Sequence, residues 1–357
     1  MLRKEHRLKV RRLFVLGAGA SFRVSSGAGA SEERQAPLDR DFCRRLAKVK
    51  VIKPKWVGPC RDFVQSKWLD EKPFDEFGLE QAVLRQLGHL EFIDAIHPRR
   101  RNTSLTDFEY MNELSHLICF VLRRARENTN GAYRRFADKV FPSGKTASDI
   151  QDRVITFNYD ELLERNLFKR FDVREIYFDQ LSDAPSPKKK PGSKHSFPLV
   201  VKLHGSVNWR CSKQNFENIV RCQPGDEANY FVEPIWYAKV GTPSPEDDSS
   251  PLIMPPLPVK PITHVSLFRF LWTRAYEYLH EAEELVICGY SLPDADRMAQ
   301  SMFANFGNRS VTQITVVDPN PEVLSKWWAL LKRKNVNSAR WTYHEDFDEY
   351  VEAMESS

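Results

Sequence analysis

A chain of 357 residues can form one large domain or two moderate ones, and 41% hydrophobic with 28% charged residues is the composition of a globular protein. No apolar run approaches the length of a bilayer span, so a membrane partner is not expected. A net charge of +5 is mild for this size; it permits nucleic-acid contact without arguing for it. The six cysteines are scattered and none forms a Cys-x-x-Cys pair, so zinc-ribbon spacing is absent and no metal is expected. Cys211 and Cys222 could pair on one hairpin, but reduced thiols in a cytoplasmic protein fit the scatter better.

A basic stretch from Arg3 to Arg12 precedes Leu13-Phe14-Val15-Leu16-Gly17-Ala18-Gly19-Ala20, which mimics a secretory signal with a small-residue cleavage site. The apolar part is very short and interrupted by glycine. Residues 13–16 read instead as a strand, running into Gly17-Ala18-Gly19-Ala20-Ser21. Glycines there let the backbone turn sharply and come close to a pyrophosphate, while the next helix offers N–H groups to the anion. Alone, such a pair of glycines is equally a plain tight turn. Residues 27–30 read as a small-residue loop over the site, and 39–48 as a short helix.

From about Asp62 to Val140 apolar residues recur at helical spacing, at Phe77, Val83, Leu84, Leu87, Leu90 and Ile93, then from Phe108 to Leu122. Arg99-Arg100-Arg101 falls in the connection, where a solvated loop is the ordinary reading. The region reads as a helical insertion, about 60–145, in an α/β core made of 10–50 and 150–357. The whole chain, 1–357, is one domain.

Residues 153–157 are a β-branched and aromatic run, read as a buried parallel strand, with a helix opening at Asp160. Thr156, Asn158 and Asp160 then sit at the strand's carboxyl end, where helix capping is their bland role. The sheet is expected again at 176–178, followed by a Pro- and Lys-rich loop over 182–196 that holds Lys188-Lys189-Lys190. Residues 197–203 are a strand that delivers His204-Gly205-Ser206. Hairpins are expected from 207 to 237. The Pro- and Ser-rich segment 241–258 should cross the surface or line a pocket, since proline cannot build a central strand.

Residues 263–280 read as a helix anchored by Phe268, Trp272 and Tyr276. Residues 285–288 are a strand ending in Gly289-Tyr290-Ser291-Leu292-Pro293-Asp294-Ala295-Asp296, with Pro293 suited to the first helical position. Residues 314–317 are another strand, ending at Asp318. An amphipathic helix with Trp327, Trp328 and Leu331 follows, and 345–353 close the chain as a helix.

Five apolar strands therefore end in polar or glycine signatures: 17–21, 158–160, 204–206, 289–291 and Asp318. In a parallel sheet all of these ends share one edge, which is where open α/β sheets bind nucleotides. As a set and in this order, the motifs resemble those of the sirtuin-like NAD-consuming domains. Gly-Ala-Gly-Ala-Ser at 17–21 resembles their phosphate loop, and Thr-Phe-Asn-Tyr-Asp at 156–160 their Thr-Gln-Asn-Ile-Asp ribose motif. Leu-His-Gly-Ser at 203–206 resembles the motif of their catalytic histidine, and Gly-Tyr-Ser-Leu at 289–292 their cofactor loop. The resemblance covers roughly residues 10–330. It implies a Rossmann-like parallel sheet without the four-cysteine zinc module of the deacylases. In lacking that module and carrying the insertion, the chain is most similar to bacterial antiphage-defence effectors that hydrolyse NAD+.

By that resemblance NAD+ is the substrate and no metal takes part. His204 is the base that activates water, directly or through a ribose hydroxyl, and Asn158 fixes the ribose. Asp160 seats the nicotinamide amide. Gly17, Ala18, Gly19, Ser21, Thr156, Gly289 and Ser291 hold the cofactor, with Ser21 and Ser291 on the pyrophosphate and Asp318 on the adenosine ribose. Asp294 and Asp296 could also reach that ribose, though helix capping is their stronger reading. A protein deacylase, an ADP-ribosyltransferase or a non-enzymatic NAD or ADP-ribose sensor are the alternatives. A homo-oligomer is expected, gated by a partner. By resemblance that partner is an ATPase/helicase or an Argonaute-type protein, with nucleic acid acting only indirectly.

Overall fold

The computed structural model describes residues 9–26, 34–38, 41–42, 107–128, 131–177, 197–212, 214, 216–217, 231–232, 249–254, 266–294, 296–307, 310–331, 336 and 338–354. The expected loops at 27–30 and 182–196, most of the 39–48 helix, insertion residues 60–106 (with the arginines at 99–101) and Cys222 lie outside these residues.

Strands β1 (Val10–Leu16), β2 (Arg153–Thr156) and β3 (Val200–Lys202) are short and buried on both faces, and their near-continuous apolar runs reflect that burial. Antiparallel strands β4 (Gly205–Ser212), β5 (Phe231–Val232) and β6 (Ser249–Ile253) follow. Then come β7 (Ala282–Cys288), β8 (Gln313–Val317) and β9 (Arg340–His344). The main sheet runs β3-β2-β1-β7-β8-β9, and every pairing in it is parallel. This is the Rossmann-like α/β order. Chain direction across the sheet reverses between β1 and β7, and that switch point is where such sheets open a crevice.

Helices cover both faces. Helix α1 (Ala18–Ser25) leaves β1 directly; α2 (Asp107–Leu122) and α3 (Ala132–Val140) lie on the long crossover to β2. Phe136 of α3 meets Phe14 of β1 edge-on at 4.8 Å, so α3, within the range read as an insertion, covers the sheet itself. Helices α4 (Glu164–Leu167) and α5 (Val173–Ile176) follow β2. On the opposite face, α6 (Ser266–Glu281) places Tyr278 under the Arg153 guanidinium, 5.9 Å from the ring centre. Arg153 is level with Leu13, next to Phe14, and neighbouring strand residues point to opposite faces. Helices α7 (Arg297–Ala304), α8 (Pro321–Leu331) and α9 (Phe347–Ala353) complete the layers.

Several expectations are corrected. Residues 176 and 177 do not resume the sheet, and 178 lies outside the described residues: Asp172 and Glu175 form a reciprocal capping box, and Val173–Ile176 is helix. The helix expected from Asp160 starts at Glu164, because the Asp160 carboxylate turns back onto the Leu162 N–H at 3.0 Å. Pro293 is not the first residue of α7; Asp296 caps it and the helix begins at Arg297. Tyr276 is 42% exposed, so it does not anchor its helix as Trp272 does. Part of the proline-rich segment is strand β6, with Pro251 tolerated because β6 is an edge of the smaller β5-β4-β6 sheet.

The smaller sheet starts one residue beyond His204. Gly205 has φ +78°, and a Cβ there would lie 2.2 Å from Leu252 O. Only glycine lets the chain leave β3 and turn at once against β6. Met254 N–H donates to His204 O at 2.8 Å and pins the junction.

Candidate functional site at the sheet switch point

The loops after β1 and β7 meet backbone to backbone. Gly17 N–H donates to Cys288 O at 3.0 Å, and Gly19 N–H to Gly289 O at 2.9 Å. Gly289 has φ +58°, and a Cβ on it would lie 2.1 Å from Ala20 N; one on Gly17 would lie 2.4 Å from Gly289 O. These glycines are required for mutual packing before any ligand is considered. In the first turn of α1, Gly19 N–H and Ala20 N–H are already engaged, the latter on Gly17 O at 3.1 Å, and Ala18 is exposed. Ser291 is also exposed, and Leu292 beside it holds φ +54°, a left-handed strain in a non-glycine residue.

Asn158 ties the end of β2 to the β1 loop. Its side-chain amide donates to Gly17 O at 2.9 Å and to Ser21 Oγ at 3.0 Å, and its backbone N–H donates to Thr156 Oγ1 at 3.1 Å. With both amide hydrogens turned inward, the carbonyl oxygen Oδ1 is the part of this side chain that can meet a ligand. Ser21 is buried and shares a 3.2 Å hydrogen bond with Tyr133 Oη of α3. Burial, then the Asp160 charge, push the Tyr133 hydroxyl well above its ordinary pKa, so it stays protonated.

Asp160 is buried and joins a polar layer beneath the strand ends. Lys202 Nζ donates to Asp160 O and pairs with Glu164 Oε1 at 2.7 Å, both side chains being buried. Burial raises the Glu164 pKa while Lys202 opposes the rise. Glu161, also buried, pairs with Arg165 at 2.7 Å, and burial still pushes its carboxyl up to about 7.

His204 follows β3 and faces an aromatic wall. Its ring meets Phe157 edge-on at 5.3 Å, and Phe157 stacks flat on Tyr290 at 4.0 Å and an interplanar angle of 1°. Its Nε2 lies 3.2 Å from Asp296 Oδ2, with side-chain exposures of 13% and 4%. Tyr290 Oη donates to the same Oδ2 at 3.1 Å. Asp318 closes the row at the end of β8: Gly289 N–H donates to Val317 O at 2.9 Å, so Asp318 is the strand end beside the glycine loop. Its Oδ1 accepts the Asn320 N–H at 2.9 Å, and burial raises its pKa.

The structure thus brings Gly17, Gly19, Ser21, Thr156, Asn158 and Gly289 into one hydrogen-bonded or closely packed group. His204 joins that group through Phe157 and Tyr290. Asp160 belongs to the polar layer below, and Ser291 stands at the surface. The approach of Asp296 to His204 and the part of Tyr290 are what sequence reading misses: in sequence Asp296 reads as a helix cap or a ribose contact, and Tyr290 only as the second residue of a glycine loop. Among the described residues no group of three His, Cys, Asp or Glu side chains could hold a metal ion, and no helix is long and apolar enough to cross a membrane. No protein-family model and no curated protein matches this chain.

Proposed function

We propose that the protein is an NAD+ glycohydrolase that cleaves the nicotinamide–ribose bond. The observation that carries this reading is that Asn158 and a carboxylate-paired His204 end adjacent parallel strands, next to the glycine loops of the switch point. That crevice takes dinucleotides in sheets of this order. The reaction is NAD+ plus water giving nicotinamide, ADP-ribose and a proton. As the ribose C1′–N bond breaks, its electron pair leaves with nicotinamide, which departs neutral and needs no general acid. Positive charge develops on the ribose as in glycoside hydrolysis.

In this reading Asn158 orients the ribose through Oδ1, and His204 takes a proton from water or from a ribose hydroxyl. Asp160, with Oδ1 on the Leu162 N–H, offers its second oxygen to the nicotinamide amide. The exposed turn at Ala18 and the exposed Ser291 meet the pyrophosphate, and Asp318 meets the adenosine ribose. By the resemblance of its motifs, the chain acts as the NAD-depleting effector of a bacterial antiphage system. It assembles as a homo-oligomer and is released by an ATPase/helicase or Argonaute-type partner.

Incubating the full chain with NAD+ and measuring free nicotinamide, with and without an acylated peptide, tests the reading. Nicotinamide release independent of peptide is the expected result. Release only with peptide turns the assignment to a deacylase, and binding of NAD+ without release turns it to a sensor. Light scattering checks the assembly, against a 41.5 kDa monomer.

A further inference from the structure

We propose that Asp296 is a positioning residue for His204, held in turn by Tyr290, so that the site works through a Tyr290–Asp296–His204 relay. The inference rests on the reading of His204 as the base. Helix capping alone does not account for the geometry. The cap uses Asp296 Oδ1, which accepts the Ala299 N–H at a long 3.4 Å. The other oxygen, Oδ2, receives Tyr290 Oη at 3.1 Å and faces His204 Nε2 at 3.2 Å. An Asn or a Ser would cap the helix as well as Asp does; neither would place a negative charge against an imidazole.

The relay stands on rigid parts. Tyr290 is stacked on Phe157, and its carbonyl accepts the Trp327 Nε1 hydrogen at 3.1 Å. Phe157 in turn touches the His204 ring. Titratable groups near His204 among the described residues include Asp296 from the α7 cap, whose Oδ2 also takes the Tyr290 hydroxyl, and Tyr159, whose ring lies 6.0 Å away. The N-terminus of α7 and the Tyr290 hydroxyl both favour the ionised carboxylate. That carboxylate orients the imidazole and stabilises its protonated form. During turnover a water or ribose hydroxyl loses a proton to His204 as the C1′–N bond breaks and the new C1′–O bond forms. Asp296 supplies charge and gains no proton.

The test uses the full chain with Asp296→Asn, Tyr290→Phe and His204→Ala. Asn keeps the helix cap, and Phe keeps the stack on Phe157, so both variants should melt with the wild type. For Asp296→Asn we expect kcat to fall by about tenfold or more, with KM within about twofold, since orientation of a general base acts on the transition state. The acidic limb of its pH–rate profile should move to lower pH, because the imidazolium loses its counter-charge. Tyr290→Phe should move both quantities the same way by less. An independent readout is the imidazole resonance and titration of His204 in 15N-histidine-labelled protein, assigned by its loss in His204→Ala. It should shift, with a lower titration midpoint, in Asp296→Asn. Wild-type kcat, an unmoved limb and an unmoved resonance in Asp296→Asn would reduce Asp296 to a helix cap and overturn the relay. If the wild type releases no nicotinamide, the hydrolase reading fails, while the His204 resonance still decides the relay.

Discussion

Asn158 and Ser21 are 137 residues apart in the chain, and a 3.0 Å hydrogen bond joins their side chains. Together with the 2.9 Å bond to Gly17 O, it makes Asn158 both the proposed ribose clamp and the tie that holds the first loop against β2. Asn158→Ala should therefore abolish nicotinamide release and also lose about 1–3 kcal/mol of stability, one or two ordinary hydrogen bonds' worth. Ser21→Ala should lose stability of the same order with a smaller effect on turnover, since the amide keeps Gly17 O. Turnover assays and urea denaturation on the same samples check both. Near wild-type turnover in Asn158→Ala, with unchanged circular dichroism, would remove Asn158 from the mechanism.

The glycine loops make a sharper structural prediction. Gly289 and Gly144 both hold positive φ, +58° and +87°, but a Cβ on Gly144 would meet nothing within 4 Å, whereas one on Gly289 would strike Ala20 N. Gly144→Ala should cost only the left-handed backbone penalty, about 1–2 kcal/mol. Gly289→Ala should cost that plus a backbone clash, beyond the roughly 3 kcal/mol that bounds most single substitutions. Equal midpoints for the two variants in urea would contradict the close approach of the two loops.

How much of this is legible in the chain differs from residue to residue, for physical reasons. Buried parallel strands advertise themselves as unbroken apolar runs, so β1, β2, β3, β7 and β8 are readable, and with them the residues that follow each one. Strand β9, Arg340–His344, is an edge strand whose residues are only half-buried or exposed; its three strand-forming residues, Trp341, Thr342 and Tyr343, make too short a run between polar flanks to mark it in sequence. At Ile176 and Tyr177 β-branched and aromatic residues mimic a strand, but the capping box at Asp172 wins, a local bond outweighing propensity. Asp296 shows its cap in sequence because a cap is local. Its approach to His204 joins separate elements and exists only once β3 and the β7 loop lie together. The glycines are legible as a turn, but that they pack against one another rather than simply awaiting a phosphate is a property of the folded backbone.

At the opposite end of β1, Arg12 and Asp152 form a buried ion pair: Arg12 Nε donates to Oδ2 at 3.0 Å and its backbone N–H to Oδ1 at 3.1 Å. Asp152→Ala leaves a buried guanidinium without its carboxylate and should cost about 3–5 kcal/mol. The Arg12→Met, Asp152→Leu double variant should recover most of that loss, because apolar packing replaces both charges. Breaking the surface pair of Arg274 and Glu277 with Glu277→Ala should cost no more than about 0.5 kcal/mol. Chemical denaturation of the four proteins checks the ordering. An Asp152→Ala loss no larger than that of Glu277→Ala would show that the pair is not desolvated.

Glu161 predicts how stability depends on pH. Its carboxyl is buried, Oε2 has no hydrogen-bond partner among the described residues, and burial raises its pKa from 4.5 to about 7 despite Arg165 pulling it down. In the unfolded chain the same group titrates at its ordinary value, so between roughly pH 4.5 and 7 the folded state holds the proton and the unfolded state has released it. The folded state binds more protons in that window, and stability must fall as pH rises through it. The contribution is fully present below about pH 4.5 and lost above about pH 7. Glu164 is raised by burial too and acts in the same direction. Were the Arg165 pair dominant, the Glu161 pKa would be depressed and stability would climb with pH instead. Glu161→Gln carries no titrating group, so its stability should decline less steeply across the window, the remaining slope including that of Glu164. Urea midpoints from pH 4.5 to 8 for both proteins distinguish the cases. Parallel curves would mean that Glu161 does not titrate there, and a wild-type curve rising more steeply than that of Glu161→Gln would mean that the ion pair outweighs burial.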